Sequence, residues 1–278
     1  MRKAGPSLGE LFPRIFSRSS PLVEGSSPLV LAGSLLRFHP VEAAMVLTER
    51  AQPVRRDSRV AFLGGYSILA NLLKVEPARS LKFLFEPCRR NAMILDTVKV
   101  DQDLPSLLRL FGETRFGFTT ITHGRYFALL GLSDTISLYE QGAIGTGLLA
   151  REVASKPVTT GKDTTLRGAL RLMFERRIRR LFLKGGDLFV SDREIISYLF
   201  SPRKLEATRD APRTMLNDRM TEAGPISAER IRGDAPLKDA SKVLSGTQGS
   251  VLMCEGGIIS PWDLVMKPFL KGRLAISD

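Results

Sequence analysis

The sequence predicts an α/β (α+β repeats) protein built from four copies of one strand-helix-strand-strand-helix unit. Three observations carry this reading. An apolar strand that closes on a serine and breaks into a helix recurs at residues 61–67, 127–133, 188–191 and 257–260. The closing serines, Ser67, Ser133, Ser191 and Ser260, stand about 60 to 70 residues apart. Each follows, by roughly 25 residues, an amphipathic helix opened by Pro40, Pro105, Thr165 or Pro236.

The third copy is the most complete. Asp163 is placed to cap a helix whose Leu166, Ala169, Leu170, Met173, Phe174 and Ile178 form one apolar face. Residues 181–183 and 188–190, joined by Lys184, Gly185, Gly186 and Asp187, read as a tight strand pair. A last helix starts at Asp192, and Val158 with Thr159 supplies the first strand.

The fourth copy carries the most suggestive chemistry. Ser260 is a natural N-cap and Pro261 a natural first helical residue. A hydroxyl and backbone N–H groups at a helix start suit a phosphate, and Asp263, one turn on, can accept both hydroxyls of a ribose. The same residues also read as an ordinary capped helix.

The segments 158–170, 176–181 and 190–195, together with Asp218-Arg219-Met220-Thr221 ahead of Pro225-Ile226-Ser227, resemble the CBS domain, a repeat of this length that works in pairs called Bateman modules. The likeness is strong over about 150–270 and rests mainly on spacing over 20–145. It implies a basic lead-in (1–19), a first CBS pair over 20–149 (repeats about 20–84 and 85–149), a second over 150–270 (repeats about 150–212 and 213–270) and a tail (271–278). The two modules are expected to pack as a disc. The resemblance also implies an AMP, ADP or ATP ligand, bound without catalysis, in the second pair. Asp263 would meet the ribose, Ser260 and Ser191 the phosphate, and Glu194 would hold the position matching Asp263. Thr159, Thr160, Ile226 and Ser227 would neighbour the adenine, Ile258 would form an apolar wall, and Arg179 would face the nucleotide. Repeats one and two place Ala70 and Ile136 three residues after their serines, so the first pair is expected to serve as scaffold.

Composition sets further bounds. No apolar run approaches the roughly 20 residues of a membrane span and no signal-peptide core follows Met1, so a cytoplasmic protein is expected. Two cysteines and two histidines offer neither a disulfide framework nor a zinc site. Residues 161–164 fail as a phosphate-binding loop because Lys156 stands where a glycine is required. Four repeats leave no room for a catalytic domain, and no enzyme activity is expected.

The net charge of +12, with 29 arginines among 41 basic residues, favours a polyanionic partner. The surplus concentrates in repeat three, at Arg167, Arg171, Arg176, Arg177, Arg180 and Lys184. It reads as an RNA-binding surface, as a solvated helix face, or as a compositional bias toward arginine. The lead-in, with Arg2, Lys3, Arg14 and Arg18 and an apolar face of Leu11, Phe12, Ile15 and Phe16, reads either as a helix packed on a repeat or as an exposed arm. Aromatics beside basic residues at 115–118 and 125–127 read as hairpin core or as base-stacking groups.

Two functions fit these readings. One is a non-enzymatic, adenine-nucleotide-responsive protein that binds RNA or ribosomal subunits, comparable with archaeal stand-alone CBS proteins that inactivate translation by ribosome hibernation. The other is a nucleotide-sensing subunit that controls an enzyme or transporter by protein contact.

Overall fold

The computed structural model describes residues 5–18, 20–39, 42–48, 60–124, 126–246 and 251–277. Arg2, Lys3, Pro40 and Arg125 lie outside them.

The lead-in forms α1 (Leu8–Leu11) and a turn of 3₁₀ helix, Ile15–Ser17. Repeat one contains β1 (Leu22–Glu24), α2 (Leu29–Phe38), β2 (Ala43–Leu47), β3 (Val60–Gly64), α3 (Gly65–Lys74) and α4 (Ser80–Leu84). Repeat two contains β4 (Val98–Lys99), α5 (Leu104–Thr114), β5 (Phe118–His123), β6 (Tyr126–Gly131), α6 (Leu132–Gln141) and β7 (Ile144–Gly145). A short α7 (Ala150–Val153) leads into repeat three, with β8 (Thr159–Thr160), α8 (Leu166–Arg176), β9 (Arg180–Leu183), β10 (Leu188–Ser191), α9 (Asp192–Leu199), α10 (Pro202–Asp210) and β11 (Ile226–Ser227). Repeat four contains β12 (Glu229–Arg230), α11 (Leu237–Gly246), β13 (Leu252–Cys254), β14 (Gly257–Ile259) and α12 (Pro261–Leu270), followed by β15 (Ala275–Ile276).

Each repeat builds the same small mixed sheet. Its first strand pairs in parallel with the second across the intervening helix, and the second pairs antiparallel with the third. The sheet of repeat three also takes β11, from the segment expected to open repeat four, giving the order β11-β10-β9-β8. The expected α/β repeat architecture is therefore the architecture found.

Several details differ from the sequence reading. The first helix of repeat one is α2, ahead of Pro40; the stretch after Pro40 is β2, because its continuous apolar run of Ala43 to Val46 is buried on both faces. The residues that end the strands of repeats one and two are Gly64 and Gly131, so Ser67 and Ser133 lie inside α3 and α6. The cap of α8 is Thr165, whose hydroxyl accepts the Gly168 N–H at 3.2 Å, and not Asp163.

Compact grouping does not follow the consecutive pairs 20–149 and 150–270. Residues 20–94 and 158–227 form one unit, holding repeats one and three; residues 1–19, 95–157 and 228–278 form the other, holding the lead-in and repeats two and four. Helix burial is the reason: an amphipathic helix settles where its apolar stripe meets another. In the odd-repeat unit α2 lies on α9, and α3 on α8 and α9, around Leu36, Leu69, Leu170 and Ile196. The fit is close enough that a Cβ on Gly33 would stand 2.2 Å from the Phe200 ring. In the even-repeat unit α6 lies on α11 and α12 around Leu138, Tyr139, Leu244 and Val265, with the Tyr139 hydroxyl donating to the Leu264 carbonyl at 3.2 Å.

The described lead-in is a packed helix. Leu8, Leu11, Phe12 and Ile15 are buried in the even-repeat core. A symmetry accompanies this. The Leu8 and Gly9 N–H groups donate to Gln102 and Val100 of repeat two, as those of Ala150 and Arg151 in α7 donate to Ala235 and Gly233 of repeat four. A helix that precedes an odd repeat docks on the even one.

Candidate strand-to-helix corners

Each repeat turns from its third strand into its second helix at a corner, and the third helical residue carries the chemistry. These pairs are Gly64 with Ser67, Gly131 with Asp134, Ser191 with Glu194 and Ser260 with Asp263. In the last three the carboxylate reaches back to accept the N–H of its own cap, at 2.7, 2.8 and 2.9 Å. Asp134 thus occupies the place of Asp263. The expectation that repeat two lacks this carboxylate is corrected: its cap is a glycine, which serves at a helix start without a hydroxyl.

The three acids differ in what else they hold. Asp263 is 6% exposed. Its Oδ2 accepts the Ser260 hydroxyl at 2.6 Å, and its Oδ1 accepts the Ser155 hydroxyl at 2.7 Å and the Lys267 ammonium at 2.9 Å. With the cap N–H, these bonds occupy the four lone-pair sites of a carboxylate. Lys267 also donates to the Val153 and Ala154 carbonyls and to the Ser155 hydroxyl, at 2.6, 3.1 and 2.7 Å. Ile258 exchanges both backbone hydrogen bonds with Ser155. The approach requires Gly257 at φ 144°, where a Cβ would stand 2.2 Å from the Ser155 carbonyl oxygen. Asp134 is held by Arg18, whose two Nη groups each donate to one carboxylate oxygen. Glu194 keeps only its cap bond, through Oε2; Oε1 has no partner among the described residues.

Strand register sorts the repeat-three residues by face. Thr159, Phe182, Phe189 and Ile226 stand directly across from one another along the row β8-β9-β10-β11, and Ser191 stands across from Arg180. Alternation puts these six on one face of the sheet. Thr160 and Ser227 belong to the opposite face, with Leu181, Leu183 and Val190 in the odd-repeat core. The Thr160 hydroxyl bonds the Thr164 hydroxyl at 2.7 Å. Ser191 is 2% exposed, and its oxygen accepts the Arg193 N–H at 3.1 Å. Arg179 grips the buried Asp192 with Nε at 3.1 and 3.2 Å and Nη2 at 2.7 Å. Burial alone would lower the guanidinium pKa, but the Asp192 carboxylate, together with Glu42 and Tyr66, holds it above its ordinary value.

Seven of the ten residues expected around a nucleotide therefore lie in the odd-repeat unit, and Ser260, Asp263 and Ile258 lie in the even-repeat unit. The basic residues of repeat three are dispersed. Arg167, Arg171 and Arg176 ride on α8, Arg177 caps its end at φ 53°, Arg180 opens β9, and Lys184 starts the β9–β10 turn. Arg171, Arg176, Arg177 and Lys184 are exposed, and Arg167 and Arg180 are half-buried.

The sequence reading gave no site role to Ser155, Lys267, Asp134 or Arg18. Two of these left a signal: Lys267 stands four residues after Asp263, the spacing of a helical ion pair, and Asp134 stands three after Gly131, as Asp263 does after Ser260. Ser155 and Arg18 arrive through tertiary structure. Among the described residues, no group of three or more His, Cys, Asp or Glu is placed to hold a metal, and no helix is long and apolar enough to cross a membrane.

No protein-family model matches the sequence, and no curated protein does. A crystal structure from Methanocaldococcus jannaschii, described as a proposed archaeal homologue of γ-AMPK, superposes with a TM-score of 0.75 at 17% identity, covering 91% of this chain and 96% of that one. A CBS-domain-containing protein of Agrobacterium tumefaciens covers 47% of this chain and 97% of its own, with a TM-score of 0.39 at 14% identity. A protein named CBSX2, solved in complex with AMP, covers 49% of this chain and 98% of its own, with a TM-score of 0.36 at 17% identity.

Proposed function

We propose that this protein, whose four units have the CBS fold, is a non-enzymatic regulatory protein that senses AMP, ADP or ATP at the corner of repeat three and acts by contact with a partner protein. The observation that carries the proposal is the uncommitted Oε1 of Glu194, one turn into α9. A carboxylate oxygen with free lone pairs accepts a ribose hydroxyl at no cost in broken bonds. Asp263 has none free, so a ribose there must first displace Ser155 or Lys267. Thr159 and Ile226, both exposed, offer a hydroxyl and an apolar side chain on the sheet face that also carries Ser191. Arg179 would meet the phosphate through Nη1, its Nε and Nη2 being held by Asp192.

Calorimetry with AMP, ADP and ATP tests this. Glu194→Ala is expected to weaken binding by about 10-fold to 100-fold, the value of a hydrogen bond to a charged group. Asp263→Ala is expected to have the smaller effect. Equal affinities for wild type and Glu194→Ala, in a folded variant, would remove the site. RNA and ribosomal partners have no support in the comparisons and form no part of the proposal; the exposed arginines of repeat three are read as solvated charge.

A further inference from the structure

Arg18 follows a turn whose Ile15 is buried, together with Leu8, Leu11 and Phe12, in the even-repeat core. Its guanidinium straddles Asp134. One Nη donates to Oδ1; the other donates to Oδ2 at 2.8 Å and also to the Leu129 carbonyl. Oδ2 accepts the Gly131 N–H as well, at 2.7 Å. A planar fork matched to both oxygens is the strongest way for one side chain to occupy a carboxylate. It covers the two oxygens through which a diol would bond.

We propose that Arg18 is a latch over the repeat-two corner. Closed, it denies Asp134 to a ligand carrying a ribose-type vicinal diol; open, it presents a carboxylate in the position that Glu194 holds in repeat three. The burial pattern suits a moving part. The lead-in is anchored by side chains at most 7% exposed, whereas the Arg18 side chain is 41% exposed and the Asp134 side chain 13%. Rotation about the Arg18 side-chain bonds opens the latch while α1 stays docked, and exposed side chains rotate within nanoseconds. A ligand at this corner binds in competition with an intramolecular cation, so its apparent affinity is reduced by the fraction of time the latch is closed. The proposal rests on the nucleotide reading above, but it concerns a different repeat.

AMP titrations in the Glu194→Ala background, where the repeat-three corner is disabled, test it. Arg18→Gln is expected to tighten AMP binding about two-fold to five-fold, the range a half-exposed ion pair can impose. Adding Asp134→Asn should abolish the gain, and Arg18→Lys, which keeps the charge without the fork, should fall between. Raising salt should shift the protein with Arg18 intact toward the Arg18→Gln affinity, since screening weakens the exposed pair. Should Arg18→Gln unfold, the same arm is read without it: AMP must bind the protein with Arg18 intact more tightly as salt rises and lose that gain with Asp134→Asn, and an affinity that does not rise would overturn the latch. An affinity unchanged by Arg18→Gln, no AMP binding in that variant, or a gain that survives Asp134→Asn would overturn the latch. Failure of the repeat-three site is read separately, from Glu194→Ala with Arg18 intact.

Discussion

Lys267 shows how much one side chain can tie together. Its ammonium serves two backbone carbonyls, the Ser155 hydroxyl and the Asp263 carboxylate, and so joins α12 to the segment entering repeat three. Lys267→Met would keep the stem but leave Asp263, 6% exposed, without its cation. Urea unfolding should show a loss of about 3 kcal/mol, because an unpaired buried charge costs more than the pair contributes. Adding Asp263→Asn should restore part of it; strictly additive losses would rule out this coupling. Cys88 supplies a pH test in the odd-repeat unit. Burial pushes its thiol from 9.0 up to about 11, so the folded state favours the protonated form. Its contribution is complete below pH 9 and is lost as pH rises toward and through 11. Wild type should lose on the order of 2 kcal/mol relative to Cys88→Ala across that window. Parallel pH profiles would contradict it.

At the scale of the element, helix propensity and packing oppose each other in α2. Gly33 sits within the helix, where alanine would ordinarily stabilise by about 1 kcal/mol. A methyl there would meet the Phe200 ring at 2.2 Å, and the ring, itself 1% exposed, has little room to retreat. Overpacking of this kind costs about 1 to 3 kcal/mol, so Gly33→Ala should lower stability despite its better propensity. Combining it with Phe200→Leu should recover part of the loss. A Gly33→Ala protein as stable as wild type in thermal unfolding would show that α2 and α9 are not in register as described. The corner of α12 offers a simpler case: Ser260→Ala removes a capping hydroxyl and should cost about 1 kcal/mol.

At the scale of the whole molecule, the cores cross the sequence order. Repeat one shares its core with repeat three, and repeat two with repeat four and the lead-in. Cutting the chain after residue 149 therefore leaves each fragment with half of two cores, although about 150 residues is ordinarily enough for a stable domain. Neither fragment alone should show cooperative unfolding or a native near-ultraviolet spectrum. A fragment of residues 1–149 that unfolds cooperatively by itself would refute this division.

The repeat, its strand and helix order outside repeat one, and the capped corners at Ser191 and Ser260 were legible in the sequence because each depends on contacts within a few residues: alternation, helical periodicity and a hydroxyl or carboxylate one turn from its own backbone. The corner of repeat two was legible only in part, since the glycine at its start hides the serine signal that marks Ser191 and Ser260. Tertiary structure alone decided which repeats share a core, because an apolar helix face records that it must be covered and not by what. It also decided the standing of the three acids. Asp263 and Glu194 look alike in sequence, a carboxylate three residues past a serine, yet Ser155, distant in sequence, arrives with Lys267 to saturate one and leaves the other open. Whether a carboxylate is a structural tie or a ligand site depends on its remaining lone pairs, and those are counted only in the folded chain.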